Sequence, residues 1–246
     1  MTVENDDLQS LINAKWLSGF ENDKLEDLKK FINDLDDNKI SPEKDKIFNA
    51  FKIGNNGNIC EPKDVKVLII GQDPYTKISG KADGYAFSQN GKKPAEDSLL
   101  NIYIAIQKAY KFKNKDIDTW DTNLATWAKD NGVLLLNTAL TYQKGKKIEH
   151  QNNWKNFIEL VINKLLTTVN NKLVVFLWGD DARRLFHKVM FESDNIRDIL
   201  VLPTSHPSKN YDAYKKGFCY EAPNHFKACD EFLKEPVWEN LWKYIN

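Results

Sequence analysis

The sequence predicts a three-layer α/β/α fold around a central, mostly parallel four-stranded sheet. Four short apolar runs indicate the sheet, since runs of Val, Ile and Leu without polar alternation are typical of parallel strands buried on both faces. Segments with apolar residues at helical spacing fill the gaps between the runs, as expected of alternating strands and helices. The four predicted strands are residues 65–70, 133–136, 173–177 and 199–202.

The predicted helices follow from apolar residues that recur every three or four positions. Leu25, Leu28 and Ile32 keep this spacing near the N-terminus, and Leu99 and Ile102 belong to a similar stripe in the second segment. Because no stretch rich in Pro, Gly or Ser divides the 246 residues, we expect one domain over residues 1–246. The helical segments are 7–36, 97–110, 154–165 and 182–190.

The charge balance bears on nucleic-acid binding. Thirty-five basic residues match thirty-five acidic ones, so the net charge provides no general attraction for DNA or for anionic membranes. Any DNA-binding surface must therefore be local, and ordinary solvated lysines are the alternative interpretation of each basic cluster. The candidate clusters are Lys144, Lys146 and Lys147, and Lys209, Lys215 and Lys216.

Cysteine usage and hydropathy indicate the compartment. Cys60, Cys219 and Cys229 are too few and too widely spaced for a disulfide framework or a four-cysteine iron-sulfur cluster. The N-terminus is acidic and polar, and no apolar run reaches the ~18 residues of a membrane span. We therefore expect an intracellular protein, cytoplasmic if the source is bacterial, with no membrane contact.

Each predicted strand ends abruptly in a polar loop. Ligands of open parallel sheets bind outside the carboxyl ends of the strands, so Asp73, Asn137 and His206 are the predicted active-site residues. Taken alone, an Asp or a His before proline is more often a turn or loop residue, and an Asn at such a place is more often a cap. The loops are Gly71-Gln72-Asp73-Pro74-Tyr75, Asn137-Thr138-Ala139, Gly179-Asp180-Asp181 and Ser205-His206-Pro207-Ser208.

These loops carry a family resemblance. The segment from Gly71 to Tyr75, followed by Gly84 and Phe87-Ser88, resembles the water-activating motif of family 1 uracil-DNA glycosylases. Five ordered matches make chance similarity improbable, and the resemblance spans residues 16–242. The later matches are Ser98-Leu99 with Asn101-Ile102-Tyr103, Gly132 to Thr141, Phe176-Leu177-Trp178-Gly179 and Ser205 to Ser208.

The resemblance implies hydrolysis of the N-glycosidic bond of deoxyuridine in DNA, which leaves free uracil and an abasic site. Cleavage of such a bond builds positive charge on the sugar and negative charge on the departing base. By resemblance, Asp73 is the carboxylate that stabilises the sugar cation and orients the attacking water. His206 is the neutral ring that donates a hydrogen bond to uracil O2.

The resemblance also assigns the base pocket. Asn137 reads the N3 and O4 edge of uracil, since an amide offers both a donor and an acceptor. Phe87 stacks on the flipped base, a core position being the alternative for this ring. Tyr75 blocks the thymine methyl group, and Gln72 supplies backbone contacts to the base.

DNA contacts are implied at three further positions, Ser98, Ser208 and the Gly179 loop. There the family grips phosphates with small hydroxyls and backbone amides, which fix register without reading sequence. After Ser208 the family usually continues with Pro and Leu, the Leu being a wedge, whereas this chain has Lys209, Asn210 and Tyr211. Tyr211 is our candidate wedge, and a Tyr that packs on its own protein is the alternative.

Other departures concern the pocket rim. Asp180 and Asp181 stand where a Ser or a neutral residue is usual, and two carboxylates would weaken phosphate binding unless Arg183 and Arg184 pair with them. Thr76 replaces a frequent His, and one extra residue separates Tyr75 from Phe87.

We predict a monomeric enzyme without metal or cofactor that acts on uracil-containing DNA, single- or double-stranded, and that a DNA-mimicking inhibitor protein can bind. One alternative is a glycosylase retargeted to another modified base. The other is a glycosylase-fold DNA-binding component with little catalysis.

Overall fold

A computed structural model describes residues 12, 14–52, 60–112, 116–168, 172–194, 198–208 and 217–239. The strands are β1 Ile40–Ser41, β2 Val67–Gly71, β3 Val133–Asn137, β4 Tyr142–Gln143, β5 Leu173–Trp178 and β6 Ile199–Thr204. The predicted α/β fold is confirmed: four parallel strands form the central sheet in the order β3-β2-β5-β6, and β1 pairs antiparallel with β4.

Helices cover both faces of the sheet. They are α1 Ala14–Leu17, α2 Asn22–Asp34, α3 Asn49–Lys52, α4 Asp97–Tyr110, α5 Ala125–Asn131, α6 Lys147–Thr167, α7 Asp180–Phe191 and α8 Phe218–Leu233. One layer contains α4 and α8, which pack on each other, and α8 also packs on β5 and β6. The other layer contains α7, which packs on β5, then α6 against α7, and α1 and α2 against α6.

Single 3₁₀ turns join several of these elements, at Lys44–Lys46, Pro62–Asp64, Lys77–Ser79 and Ile117–Thr119. In the described part of the chain, no helix combines the length and the apolar character needed to cross a bilayer.

The core lies on both faces of β2, β3 and β5. Every residue of these three strands is buried, whereas β6, one of the two edge strands, is only half-buried. Pro203 lies in this edge strand, where a residue without a backbone N–H is tolerated. Aromatic rings then connect the sheet to α8 through edge-on contacts: the ring centroids of Trp178 and Phe218 lie 5.1 Å apart.

The sheet register positions the functional loops. Gly71 pairs with Asn137 at the end of β2 and β3, and Trp178 pairs with Thr204 at the end of β5 and β6. All four strands therefore deliver their last residues to one edge of the sheet, with the loops that follow them side by side.

Candidate active site

The strand-end loops surround one cavity of about 500 Å³. This volume lies in the range of ordinary small-molecule pockets, ~300–1,000 Å³. The structure brings together most of the residues that the sequence singled out. Those that line the cavity are Gln72, Asp73, Tyr75, Phe87, Ser98, Asn137 and His206.

The floor of the cavity requires a glycine. A Cβ at Gly71 would collide with Oδ1 of Asn137 and lie 2.9 Å from the Cβ of Ala86. Because Gly71 has no side chain, the Asn137 amide can lie against β2. Asn137 is 5% exposed, and its amide makes no hydrogen bond to the described part of the chain, so it does not cap the following segment. A buried amide without a protein partner is a candidate for binding a ligand.

Asp73 lies two residues beyond β2, and backbone contacts fix the peptide that precedes it. The carbonyl of Gln72 accepts hydrogen bonds from the Ala139 N–H at 3.1 Å and from the Thr138 hydroxyl at 2.7 Å. Because the peptide unit is planar, these two bonds also orient the chain into Asp73. The Asp73 carboxylate, 19% exposed, forms an ion pair with the Lys147 ammonium at 3.1 Å.

The loop after β6 selects one tautomer of His206. The backbone N–H of Ser208 donates to Nδ1 at 3.1 Å, and the Ser208 hydroxyl oxygen lies 2.8 Å from the same nitrogen. A backbone N–H can only donate, so Nδ1 must be an unprotonated acceptor. In the neutral ring the proton is then on Nε2, which makes Nε2 the hydrogen-bond donor.

Phe87 lines the cavity and also packs against the core. Its ring centroid lies 5.4 Å from that of Trp178 and 6.0 Å from that of His206. Its backbone has φ of 65°, a left-handed conformation that costs a residue with a side chain roughly 1–3 kcal/mol. Tyr75 donates a long hydrogen bond of 3.4 Å to the Phe87 carbonyl, and burial raises the pKa of the Tyr75 phenol, which stays neutral.

A second cavity of about 420 Å³ adjoins the first at Gly71, Gln72 and His206. Gly179 lies between β5 and α7 with φ of 101°, and a Cβ there would lie 3.2 Å from the Cβ of His206. The glycine thus permits close approach of the two loops. Trp178, Ser205 and Ser208 also line this cavity.

The acidic pair of the Gly179 loop is neutralised within its own helix. Asp180 pairs with Arg183 at 2.9 Å, and Asp181 pairs with Arg184. Asp181 also accepts a hydrogen bond of 2.5 Å from the side-chain amide of Gln72. Both carboxylates are therefore paired with arginines, which is the condition stated above for phosphate binding beside them. The hydrogen bond from Gln72 to Asp181 also connects this loop to the Asp73 loop, which the sequence did not predict.

Several predicted residues fall outside this geometry. Asn210, Tyr211 and the second lysine cluster lie outside the described residues, so the wedge stays a prediction. Ser98 lies in the first turn of α4 on the cavity wall, and its phosphate contact also stays a prediction. The Ser208 hydroxyl lies against His206, a role that the sequence did not suggest.

Among the described residues, no three His, Cys, Asp or Glu side chains are grouped to hold a metal ion. The three cysteines are buried, and burial raises the pKa of Cys60 and of Cys229 to about 12. These two thiols are therefore protonated at neutral pH and are poor nucleophiles.

Comparisons with known sequences identify the family of this chain. The sequence model of the Uracil DNA glycosylase superfamily matches residues 58–234. A uracil-DNA glycosylase of Borrelia turicatae is 37% identical over 203 residues, which are 80% of this chain and 82% of that protein. A uracil-DNA glycosylase of Francisella tularensis subsp. holarctica is 37% identical over 198 residues, 80% of each chain.

Solved structures share the fold. The crystal structure of mimivirus uracil-DNA glycosylase matches with a TM-score of 0.68 and 24% identity, over 94% of this chain and 88% of that one. A tyrosine-to-phenylalanine variant of the mimivirus UNG in complex with UGI has the same TM-score. The UNG of Nitratifractor salsuginis matches with a TM-score of 0.53 and 21% identity, over 92% of this chain and 95% of that one.

Proposed function

The chain belongs to the Uracil DNA glycosylase superfamily, and we propose that it flips deoxyuridine out of DNA and hydrolyses its N-glycosidic bond to free uracil and an abasic site. The observation that supports this most strongly is the content of the cavity. One space of about 500 Å³ contains a carboxylate, a histidine with its proton on Nε2, and an amide without a partner among the described residues.

Cleavage of the glycosidic bond in this cavity separates charge, so the sugar needs a negatively charged group nearby and the base needs a hydrogen-bond donor. The sugar becomes cationic as the bond to the base lengthens. Asp73 supplies the anion that stabilises this cation, and the same carboxylate orients a water molecule toward C1′. The fixed Gln72–Asp73 peptide means that little reorganisation is needed when the charge develops.

The departing base carries the negative charge, and the neutral ring of His206 donates a hydrogen bond to it. Nε2–H donates to uracil O2, and this hydrogen bond strengthens as the oxygen gains charge. The Ser208 N–H donates to Nδ1, so the neutral ring has its own donor at Nε2.

The remaining pocket residues select the base. The Asn137 amide pairs with the N3–H and O4 of uracil, a donor and acceptor pattern that cytosine does not present. Tyr75 excludes the methyl group of thymine, and Phe87 provides the stacking surface, with its ring braced by Trp178. Ser98, Ser208 and the Gly179 loop hold phosphates.

The finer assignment is a family 1 enzyme, supported by the loop from Gly71 to Tyr75 and by the Ser205 to Ser208 loop. We also propose that the enzyme acts as a monomer without metal or cofactor, and that a DNA-mimicking inhibitor protein covers the same cavity. An enzyme retargeted to another base is the second candidate, and intact Tyr75 and Asn137 in one cavity favour uracil over it.

The test is incubation of the protein with a uracil-containing oligonucleotide, followed by alkaline cleavage at abasic sites. Matched oligonucleotides with thymine, hypoxanthine or a modified cytosine at the same position run in parallel. We expect strand cleavage with uracil alone. Cleavage of another substrate in preference to uracil would favour retargeting, and no cleavage of any of them would favour a binding protein.

A further inference from the structure

The ion pair between Asp73 and Lys147 is not explained by the proposed chemistry. The Lys147 ammonium lies 3.1 Å from the carboxylate that is to stabilise a sugar cation. A positive charge at that place opposes the same task, because it neutralises the anion that the sugar needs. Lys147 also lines the main cavity, so its side chain lies where the DNA strand must pass.

Helix stability does not explain the position of this lysine either. Lys147 is the first residue of α6, and Lys146 precedes it as the N-cap without a side-chain capping bond. The partial positive charge of a helix N-terminus disfavours cations there. Two consecutive lysines at this end therefore cost helix stability, and they concentrate positive potential at the rim of the cavity.

Lys147 is only loosely held in this pair. Its side chain is 43% exposed, and ion pairs of such exposure contribute little net stability. The four-carbon stem of a lysine lets the ammonium move between partners. A DNA phosphate that arrives at the cavity rim is a second anion within reach of the same side chain.

We propose that Lys147 is a DNA-phosphate ligand that Asp73 holds in the free protein and that transfers to the DNA backbone when uracil DNA binds. This inference rests on the proposed function. In the free protein the pair screens Asp73 from the approaching phosphates. In the complex the phosphate takes the ammonium, and the Asp73 carboxylate becomes available to the sugar at the stage when the cation forms.

The chain offers a closely matched control. Lys188 of α7 pairs with Glu159 at 2.6 Å, and the exposed fractions of these side chains are 41% and 18%, against 43% and 19% for Lys147 and Asp73. Lys188 does not line the main cavity. Lys188→Gln therefore removes an equivalent charge and an equivalent ion pair without touching the proposed DNA contact.

The experiment is single-turnover uracil release over a range of protein and salt concentrations. It yields a half-saturation concentration and a maximal rate for the unmodified protein, Lys147→Gln, Lys147→Arg and Lys188→Gln. One lost phosphate contact lowers the slope of log affinity against log salt by about 0.9 on duplex DNA and about 0.7 on single strands. On duplex DNA the affinity defect of Lys147→Gln should thus be about threefold larger at 50 mM than at 200 mM salt.

We expect the flatter salt slope in Lys147→Gln alone, with the slope restored by Lys147→Arg. A slope in Lys147→Gln equal to that of the unmodified protein would mean that Lys147 stays on Asp73 in the complex, and it would overturn the inference. An equal change in Lys188→Gln would also overturn it. Absence of uracil release by the unmodified protein would overturn the proposed function, and the inference with it.

Discussion

Two neighbouring regions contain the same kinds of polar side chain and use them differently. In residues 83–96, which we call the brace loop, Asp83 accepts hydrogen bonds from the Ser88 hydroxyl at 2.5 Å and from the backbone N–H groups of Tyr85 and Asn90. In the strand-end loops, the side chain of Asp73 contacts a single partner among the described residues, the half-exposed Lys147 ammonium.

The amides differ in the same way. Gln89 of the brace loop is fully buried, donates to the carbonyls of Lys92 and Pro94, and accepts from the Glu96 N–H at 2.6 Å. Asn137 is nearly as buried, but its side-chain amide has no hydrogen bond to any described residue. Saturated polar groups hold the fold, whereas groups with spare hydrogen-bonding capacity face the cavity and are available to a substrate.

The two aspartates test this distinction with the largest expected effect. Asp73→Asn should lower the rate of uracil release ~10² to 10³-fold, since it removes one preorganised charge. Its free energy of unfolding should change by less than about 1 kcal/mol, because the Lys147 side chain of the lost ion pair is 43% exposed. Single-turnover kinetics and denaturant unfolding of the same preparation measure both quantities.

Asp83→Asn is the matched control. An amide in place of this carboxylate turns an N–H group toward existing donors, so we expect a loss of about 1–3 kcal/mol in unfolding free energy. The rate per folded molecule should be unchanged. If Asp83→Asn slowed the reaction as much as Asp73→Asn, the distinction between the two regions would be wrong.

The two histidines give the next largest effect. His206→Gln should slow uracil release by about 10²-fold, at the low end for a positioned proton donor, and leave stability unchanged. His150 is instead a buried residue of helix α6, with its Nδ1 2.7 Å from the Thr141 hydroxyl oxygen, and His150→Gln should chiefly destabilise the fold. A similar rate loss in both variants would argue against a special role for His206.

His150 also predicts a pH dependence of stability. Burial lowers the pKa of His150 below its ordinary value of 6.5, so the unfolded chain takes up the proton first as the pH falls. Stability should therefore decrease as the pH drops below about 6.5, and His150→Gln should show less of this decrease. His225 has a pKa lowered by burial as well, so some dependence should persist in the variant. Urea unfolding between pH 5 and 7.5 provides the comparison.

Base selectivity provides the third comparison. Asn137→Asp should shift preference toward cytosine, because the carboxylate loses the amide donor, and Tyr75→Ala should admit thymine. Gln89→Glu, in the brace loop, should alter stability without altering the preference. Release of thymine and cytosine from matched oligonucleotides measures the change, and an unaltered profile in both pocket variants would rule out the pocket assignment.

The smallest effect concerns the wedge. Tyr211→Ala should lower activity on double-stranded uracil DNA more than on single-stranded DNA, where no stack has to be opened. Asn210→Ala should affect neither substrate. Equal losses of Tyr211→Ala on both substrates, or no loss, would remove this residue from the site.

Much of the fold was predictable because its strongest signals are local. The four strands of the central sheet were found to within two residues at each end, because each is a continuous apolar run, and α4 has the bounds predicted for it, 97–110. The two-residue strands β1 and β4 were not predicted. Helix α8 was missed because Pro223 lies inside it and removes a backbone donor. Its buried face, with Phe218, Ala222 and Phe226 at helical spacing, outweighs that cost.

The candidate site was predictable in its residues but not in its pairings. Strand ends and motif order pointed to Asp73, Asn137 and His206, and these residues do line one cavity. The contact of Lys147 with Asp73 and the contact of Asp181 with Gln72 join loops that are distant in the sequence. Such pairs depend on how α6 and α7 pack beside the sheet, for which a single sequence gives no local signal.

The most direct test of the distinction between saturated and open polar groups is NMR of side-chain amides. In Asp73→Asn, which should bind uracil DNA but turn it over slowly, the Asn137 and Gln89 amide signals are followed as uracil oligonucleotide is added. Asn137→Asp and Gln89→Glu variants assign the two signals. We predict that the Asn137 signals shift with uracil DNA and not with the matched thymine DNA, while the Gln89 signals stay in place. An Asn137 amide that does not respond to uracil DNA, or a Gln89 amide that responds equally, would contradict the account.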